Sequence, residues 1–349
     1  MCTIQANLKN EPIIWLDNAR ITASFAVIVL HASAAVVIDS EFGSIYWWYG
    51  NFYDSMVRWC VPVFVMISGA LLLDPKNNES LTVFYSKRLS KVLFPIVFWS
   101  SFYLMWTVVK SNLYGGMPSG KAILYSILSG KPYYHLWYLY MILGLYVFIP
   151  FFRKIIAEST YRELIVVTCF MFAIAGINTL ATGLQFSSRP SLFTDLFIQY
   201  IPYLFMGHII RNTVIKPSRI LVNLILSLSI MATMLGIFVL GSIKGLKIGL
   251  YFYNYLSITV IAMSICIMNK FKNSTVPILG LNHTRQVAGL SFGVFLIHPI
   301  ILDFLYLFGI GVLEFNPILA VPLVAAACFI ISLLCAWIFR ELPILKRTI

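Results

Sequence analysis

Arg20 and His31 lie eleven positions apart in a mostly apolar segment. Eleven helical steps of about 100° come to about 1100°, within about 20° of three full turns, so a helix carries both side chains on one face. The rise of about 1.5 Å per residue separates them by about 16.5 Å. A neutral imidazole is a general base for hydroxyl groups, so His31 is a candidate catalytic residue. The alternative is a histidine that only bonds a neighbouring helix.

A carboxylate and a cluster of cations extend this candidate site. Asp17 precedes Arg20 by about one helical turn, which predicts that it holds the guanidinium in place. Lys87, Arg88 and Lys91 cluster in FYSKRLSKVLFP, and three cations at one helix start suit a phosphorylated ligand. The same cluster is also expected if these residues only anchor a helix at a membrane surface.

Histidines later in the chain are candidates for binding a second substrate. His135 and Trp137 lie in PYYHLWYLY, a combination that suits a surface facing a sugar, although aromatic residues also collect at membrane interfaces. His298 lies in an apolar stretch that also holds Asp303. The sequence has no phosphate-binding loop, no H-E-x-x-H and no pair of carboxylates at catalytic spacing, so nucleotide hydrolysis and a bound metal are not predicted.

The composition shows what must position these residues. Hydrophobic residues make up 60 % of the 349 residues and charged residues 11 %, against about 45–50 % and about 25 % in soluble domains. A soluble enzyme and a disordered chain are both excluded. The sequence predicts an all-α polytopic membrane protein.

Ten segments are long and apolar enough to cross about 30 Å of hydrocarbon. They are residues 21–38, 53–73, 92–109, 136–152, 164–181, 193–210, 219–241, 250–268, 289–309 and 317–338. Residues 121–129 are too short to span and are predicted to form an interfacial or re-entrant helix. The interpretation is one membrane-embedded domain over residues 1–349, with short tails at 1–14 and 340–349.

The distribution of positive charge predicts the orientation. With the N-terminus in the cytoplasm, 18 of the 25 Lys and Arg residues fall on the inner side, 6 on the outer side and Arg58 within a span. This bias favours ten spans with both termini cytoplasmic. The net charge of +12 is therefore explained mostly by topology, and a nucleic-acid partner is not predicted.

The motifs together resemble the acyltransferase-3 family of integral-membrane acyltransferases, and most closely its bacterial O-acetyltransferases of O-antigen and enterobacterial common antigen. The resemblance covers essentially the whole chain, with the motifs in the expected order. The motifs are WLDNAR with the Arg20–His31 spacing, VPVFVMISG at 61–69, KRLSKVLFP at 87–95, HLWYLY at 135–140 and SFGVFLIHP at 291–299.

The resemblance implies transfer of an acetyl group from cytoplasmic acetyl-CoA, a co-substrate, to a hydroxyl group of a surface glycan or its lipid-linked precursor. It implies a multi-pass protein of the bacterial inner membrane with no bound cofactor. Arg20 and His31 correspond to the family's essential pair, and Lys87, Arg88 and Lys91 to its basic motif, which is usually richer in arginine. His135, Trp137 and His298 are expected on the acceptor side. The alternative hypothesis is a secondary transporter or a lipid-linked glycan flippase.

Overall fold

The computed structural model describes residues 13–77, 79–114, 116, 119–184 and 197–349, and within these residues the chain is helical and has no strand. The α-helices are α1 (Ile14–Asp39), α2 (Ile45–Val57), α3 (Cys60–Leu72), α4 (Leu81–Arg88), α5 (Ser90–Tyr114), α6 (Gly120–Leu128), α7 (Trp137–Glu158), α8 (Tyr161–Leu184), α9 (Ile201–Asn212), α10 (Arg219–Lys244), α11 (Leu246–Gly249), α12 (Ile258–Lys272), α13 (Leu281–Leu307) and α14 (Pro317–Glu341). Two 3₁₀ turns cover Leu250–Tyr253 and Leu345–Arg347.

Nine helical stretches of the described residues are long and apolar enough to cross a membrane. They coincide with nine of the ten predicted spans, which confirms an all-α polytopic membrane protein. The remaining predicted span, 193–210, begins with four residues outside the described ranges and continues into α9, a buried helix of 12 residues. The short segment predicted at 121–129 is α6, with 9 residues. Residues 1–12 of the predicted N-terminal tail lie outside the described residues.

Serine side chains begin several of the helices that follow turns. Ser44, Ser80, Ser119 and Ser257 each accept a hydrogen bond from the backbone N–H three residues later. Such a cap pairs one of the four N–H groups that a helix start leaves without an intrahelical partner. It stabilises a helix end by about 1 kcal/mol, and in a membrane protein it also avoids an unpaired polar group near hydrocarbon.

The centre of the bundle is formed by α1, by α2 with α3, and by α13. In the most apolar 18-residue stretch of each helix, 67 % of the residues of α1 and of α13 are buried within the protein, against 22 % of those of α10. The peripheral helices therefore turn apolar side chains outward, as expected for helices in contact with lipid. The motifs WLDNAR and SFGVFLIHP lie on the two most enclosed long helices, α1 and α13.

Two glycines allow α3 and α9 to cross in backbone contact. A Cβ atom on Gly69 would lie 1.8 Å from the carbonyl oxygen of Leu204, and one on Gly207 would lie 1.9 Å from that of Met66. Arg211 of α9 donates a hydrogen bond to the carbonyl of Ala70 next to this crossing. Small residues at such a crossing are how membrane helices gain close packing without a hydrophobic driving force.

Replacing either Gly69 or Gly207 by alanine is therefore expected to separate α3 from α9. The expected loss is about 1–3 kcal/mol of folding free energy, the typical cost of overpacking, measured as a lower thermal midpoint in detergent. Gly120→Ala is the control because a Cβ there meets nothing within 4 Å. An unchanged midpoint for both Gly69→Ala and Gly207→Ala would contradict the close crossing.

Candidate active site

An inner cavity of about 510 Å³ opens between α1, α3, α4, α5, α7 and α13. It lies at the end of the bundle that the charge distribution predicts to be cytoplasmic. Arg20, Arg88 and Lys91 line it, together with Ser68 and Tyr146, whose hydroxyl oxygens lie 3.3 Å apart. A cavity with three cations in its wall can bind an anionic ligand.

The three residues of the basic cluster have different surroundings. Arg88 and Lys91 line the inner cavity, and the buried Nε of Arg88 has no hydrogen-bond partner among the described residues. Lys87 does not line the cavity: its side chain is 59 % exposed, and its Nζ lies 3.8 Å from Glu79. Of the predicted phosphate-binding cluster, Arg88 and Lys91 are therefore the residues that can reach a ligand in this cavity.

Asp17 fixes the position of Arg20 as the helical spacing predicts. Nη1 of Arg20 donates a hydrogen bond of 3.1 Å to Oδ1 of Asp17, which is buried. The neighbouring Asn18 joins α1 to the segment before α13, since its Nδ2 donates to the carbonyl of Val276 and its Oδ1 accepts from the N–H of Ile278. The sequence did not predict these Asn18 hydrogen bonds. An asparagine near the start of a helix is common and does not by itself indicate a contact with a distant segment.

A chamber of about 20 Å³ is lined by the His31 side chain and lies beyond the inner cavity. We refer to it as the His31 chamber; Val27, Leu30, Val61, His135, Trp137, Tyr138, Tyr255 and Phe295 complete its lining. Tyr138 and Phe295 line the inner cavity as well. Arg20 therefore lines the inner cavity and His31 lines the neighbouring chamber. Both side chains lie along one face of α1, as the eleven-residue spacing predicts.

Three histidines converge at the chamber. The ring of His31 stacks on that of His298, with centroids 5.3 Å apart and planes at 19°. His135 lies 5.5 Å from His298 and nearly perpendicular to it. His135 and Trp137, predicted as residues of the acceptor side, thus lie beside the candidate base itself. The segment before α7 folds inward, which a short aromatic motif does not reveal.

The hydrogen bonding of His298 defines its tautomer. Its Nδ1 lies 2.7 Å from the carbonyl oxygen of Phe295, and because a carbonyl oxygen only accepts, Nδ1 carries the proton. Nε2 then holds a lone pair and, like both ring nitrogens of His135, is buried with no hydrogen-bond partner among the described residues. Unpaired buried polar atoms are costly and rare in proteins, so this cluster is a candidate for binding a substrate.

Asp54 and Arg58 form a separate buried ion pair behind the chamber. The guanidinium of Arg58 bonds the Asp54 carboxylate, donates to the carbonyl of Tyr253 at 3.2 Å, and lies 3.8 Å from the centroid of the Tyr253 ring. Each charge has its partner, so this pair joins α2 to the turn before α12 and is not available as an anion site.

A third cavity of about 280 Å³ lies at the opposite end of the bundle from the inner cavity, and we call it the outer cavity. It is lined by Thr107, Lys110, Ser111 and Tyr133. Asp303 accepts hydrogen bonds from Lys110 at 2.8 Å, from Trp106 at 2.7 Å and from Tyr133 at 2.6 Å. Burial raises the pKa of Tyr133, and its hydrogen bond to Asp303 raises the pKa further, so the phenol stays protonated.

Aromatic rings in contact lie between the outer cavity and the His31 chamber. The rings of Tyr133 and Tyr134 lie 4.8 Å apart, and those of Tyr134 and His31 lie 4.6 Å apart. His31 thus lies between the inner cavity and the aromatic residues that reach the outer cavity. This arrangement suits a reaction between two substrates that approach from opposite sides of a membrane.

The comparison with known proteins identifies the family. The sequence matches the acyltransferase-domain family Acyl_transf_3 over residues 13–340, a range that holds the three cation-bearing helices, the histidine cluster and the outer cavity. No curated protein and no solved structure matches the chain significantly. Because the family match extends over most of the chain, the protein belongs to the acyltransferase-3 family and is a multi-pass membrane acyltransferase.

Proposed function

We propose that the protein is an O-acetyltransferase that uses cytoplasmic acetyl-CoA to acetylate a hydroxyl group of a cell-surface glycan or of its lipid-linked precursor. The observation that carries this proposal is the wall shared by the inner cavity and the His31 chamber. A ligand that extends across it has one end near three cations and the other near an imidazole. A CoA thioester has this form, with phosphates at one end and the acyl group at the other.

The cations bind the donor in this proposal. Arg88 and Lys91 hold CoA phosphates through charge-assisted hydrogen bonds, and Arg20, positioned by Asp17, adds a third positive charge. The unpaired Nε of Arg88 supports a ligand at this place, because an arginine donor left without a partner is destabilising.

In this proposal, His31 accepts and then releases a proton during acetyl transfer. The acceptor hydroxyl oxygen attacks the thioester carbonyl carbon while its proton passes to His31; the carbon–sulfur bond breaks, and the CoA thiolate takes that proton and leaves as a thiol. In the second possible order, His31 first takes the acetyl group as CoA leaves with the imidazolium proton. The hydroxyl then attacks the acetyl-imidazole and returns its own proton to the ring.

The acceptor approaches the chamber from the side that faces the outer cavity. Trp137, stacked on Tyr255 with centroids 5.7 Å apart, offers an aromatic face, and His135 and His298 offer unpaired nitrogens. A glycan reaches them from the outer cavity. We place the protein in the bacterial inner membrane and take O-antigen or enterobacterial common antigen as the acceptor class, on the basis of the sequence motifs.

Purified protein in lipid nanodiscs is expected to release CoA thiol from acetyl-CoA in the presence of the glycan acceptor and to form a base-labile acetyl ester on it. Acetyl-CoA hydrolysis without acceptor serves as the baseline. A transporter or glycan flippase would move the glycan without consuming the thioester, so glycan movement with no thiol release above the baseline would replace this proposal by that alternative.

A further inference from the structure

Two aromatic side chains separate the inner cavity from the His31 chamber. Tyr138 and Phe295 are the residues that line both spaces. Their rings meet edge to face, with centroids 5.2 Å apart and planes at 64°. If the inner cavity binds the CoA moiety, as the proposed function requires, the acyl group must pass this pair to reach His31.

The pair is held in place from several directions. Phe295 is 6 % exposed, and its ring contacts those of His135 at 5.4 Å and His298 at 6.0 Å. Its carbonyl oxygen accepts the Nδ1–H of His298, so its backbone is fixed as well. A side chain that packs against three neighbouring rings and is fixed through its backbone resists displacement, because protein interiors are close-packed.

The space beyond the pair is small. The His31 chamber has a volume of about 20 Å³, enough for about one water-sized group, whereas the inner cavity has about 510 Å³. Beside the two histidines, the walls are formed mostly by aliphatic and aromatic side chains, among them Leu30 and Val61, which are buried. A methyl group beside the reacting carbonyl fits such a space far better than a propyl group does.

We infer that Tyr138 and Phe295 determine which acyl group the enzyme transfers, by restricting the His31 chamber to a two-carbon acyl group. The inner cavity then accepts the CoA moiety of any acyl thioester, and selection takes place only at this pair. An apolar pocket typically rejects each additional methylene by about 10-fold or more. For butyryl-CoA, with two additional methylenes, the wild-type rate is expected to be at least about 100-fold below that for acetyl-CoA.

The test compares acyl transfer from acetyl-, propionyl- and butyryl-CoA to the same glycan acceptor by purified wild type and Phe295→Ala. We expect Phe295→Ala to raise the ratio of butyryl to acetyl transfer by at least about 10-fold. Phe295→Leu, which shortens the side chain while keeping it apolar, is expected to shift the ratio in the same direction with less loss of packing. Phe292→Ala is the matched control, because Phe292 lines the inner cavity but not the chamber.

The outcomes separate this inference from the function on which it rests. Wild type that transfers butyryl as fast as acetyl would overturn the inference while leaving acyl transfer intact. An unchanged ratio in both Phe295 variants, or an equal shift in Phe292→Ala, would overturn it as well. Wild type that transfers no acyl group from any of the three thioesters would instead overturn the proposed function.

Discussion

His31→Ala is expected to reduce acetyl transfer by a factor of about 10²–10⁴, the contribution of a positioned general base. His31 lines the chamber next to the inner cavity, and its ring is stacked on that of His298 and contacts that of Tyr134. If it carries the acetyl group as a nucleophile, the loss is larger still, because no other step replaces the covalent intermediate. The measurement is the rate of glycan ester formation at saturating acetyl-CoA.

The control for this variant is His283→Ala, which removes an exposed histidine at the start of α13. It should retain wild-type activity. His31→Ala must also be shown to insert and to keep the thermal midpoint of the wild type. A correctly folded His31→Ala protein that acetylates glycan at the wild-type rate would remove His31 from the mechanism.

Arg88→Gln is expected to raise the KM for acetyl-CoA by about 10- to 100-fold, because a hydrogen bond to a charged group is worth about 1.5–3 kcal/mol. Lys91→Gln should act in the same direction. The rate at saturating acetyl-CoA should change little, since the phosphates are remote from the reacting carbonyl. The measurement is steady-state kinetics of thiol release with varied acetyl-CoA.

A lysine variant and a truncated substrate serve as controls for a phosphate site. Lys87→Gln removes a cation from the same cluster, but Lys87 is exposed, lies near Glu79 and does not line the inner cavity, so its KM should stay close to that of wild type. A truncated acetyl thioester without phosphates should be used equally well by wild type and Arg88→Gln. A similar increase in KM for Lys87→Gln would indicate a general effect of surface charge instead of a phosphate site.

The membrane architecture was largely predictable from the sequence, because a helix must carry about 20 apolar residues to cross the hydrocarbon. Nine predicted spans coincide with helices of the structure. The tenth predicted span, 193–210, begins outside the described residues and continues into α9, which has 12 residues and packs against α3 through Gly69 and Gly207. Hydropathy reports transfer into lipid, so it does not distinguish a helix enclosed by protein from one that faces lipid.

The site was predictable where helical periodicity alone sets the geometry. Arg20, His31 and Asp17 lie on one helix, so their relative positions follow from 3.6 residues per turn. Lys87 and Arg88 are adjacent in sequence, yet only Arg88 lines the inner cavity, because a one-residue step turns a side chain by about 100° and only tertiary packing decides which direction is enclosed.

No sequence pattern predicted the wall between the inner cavity and the His31 chamber. Tyr138 and Phe295 lie in apolar spans rich in aromatic residues, and their importance arises only because α7 and α13 bring them together. The convergence of His135 and His298 likewise depends on how the segment before α7 folds inward. Contacts between distant segments come from packing and are not encoded in local patterns.

The most direct test of the proposed reaction follows the acetyl carbon itself across the membrane. Inside-out membrane vesicles with the glycan acceptor in their lumen are supplied externally with [¹³C]acetyl-CoA, and the recovered glycan is analysed by mass spectrometry and NMR. We predict a base-labile ¹³C-acetyl ester on a glycan hydroxyl with wild type and none above background with His31→Ala. Glycan that carries no labelled ester with wild type, or equal label with both proteins, would contradict acetyl transfer through His31.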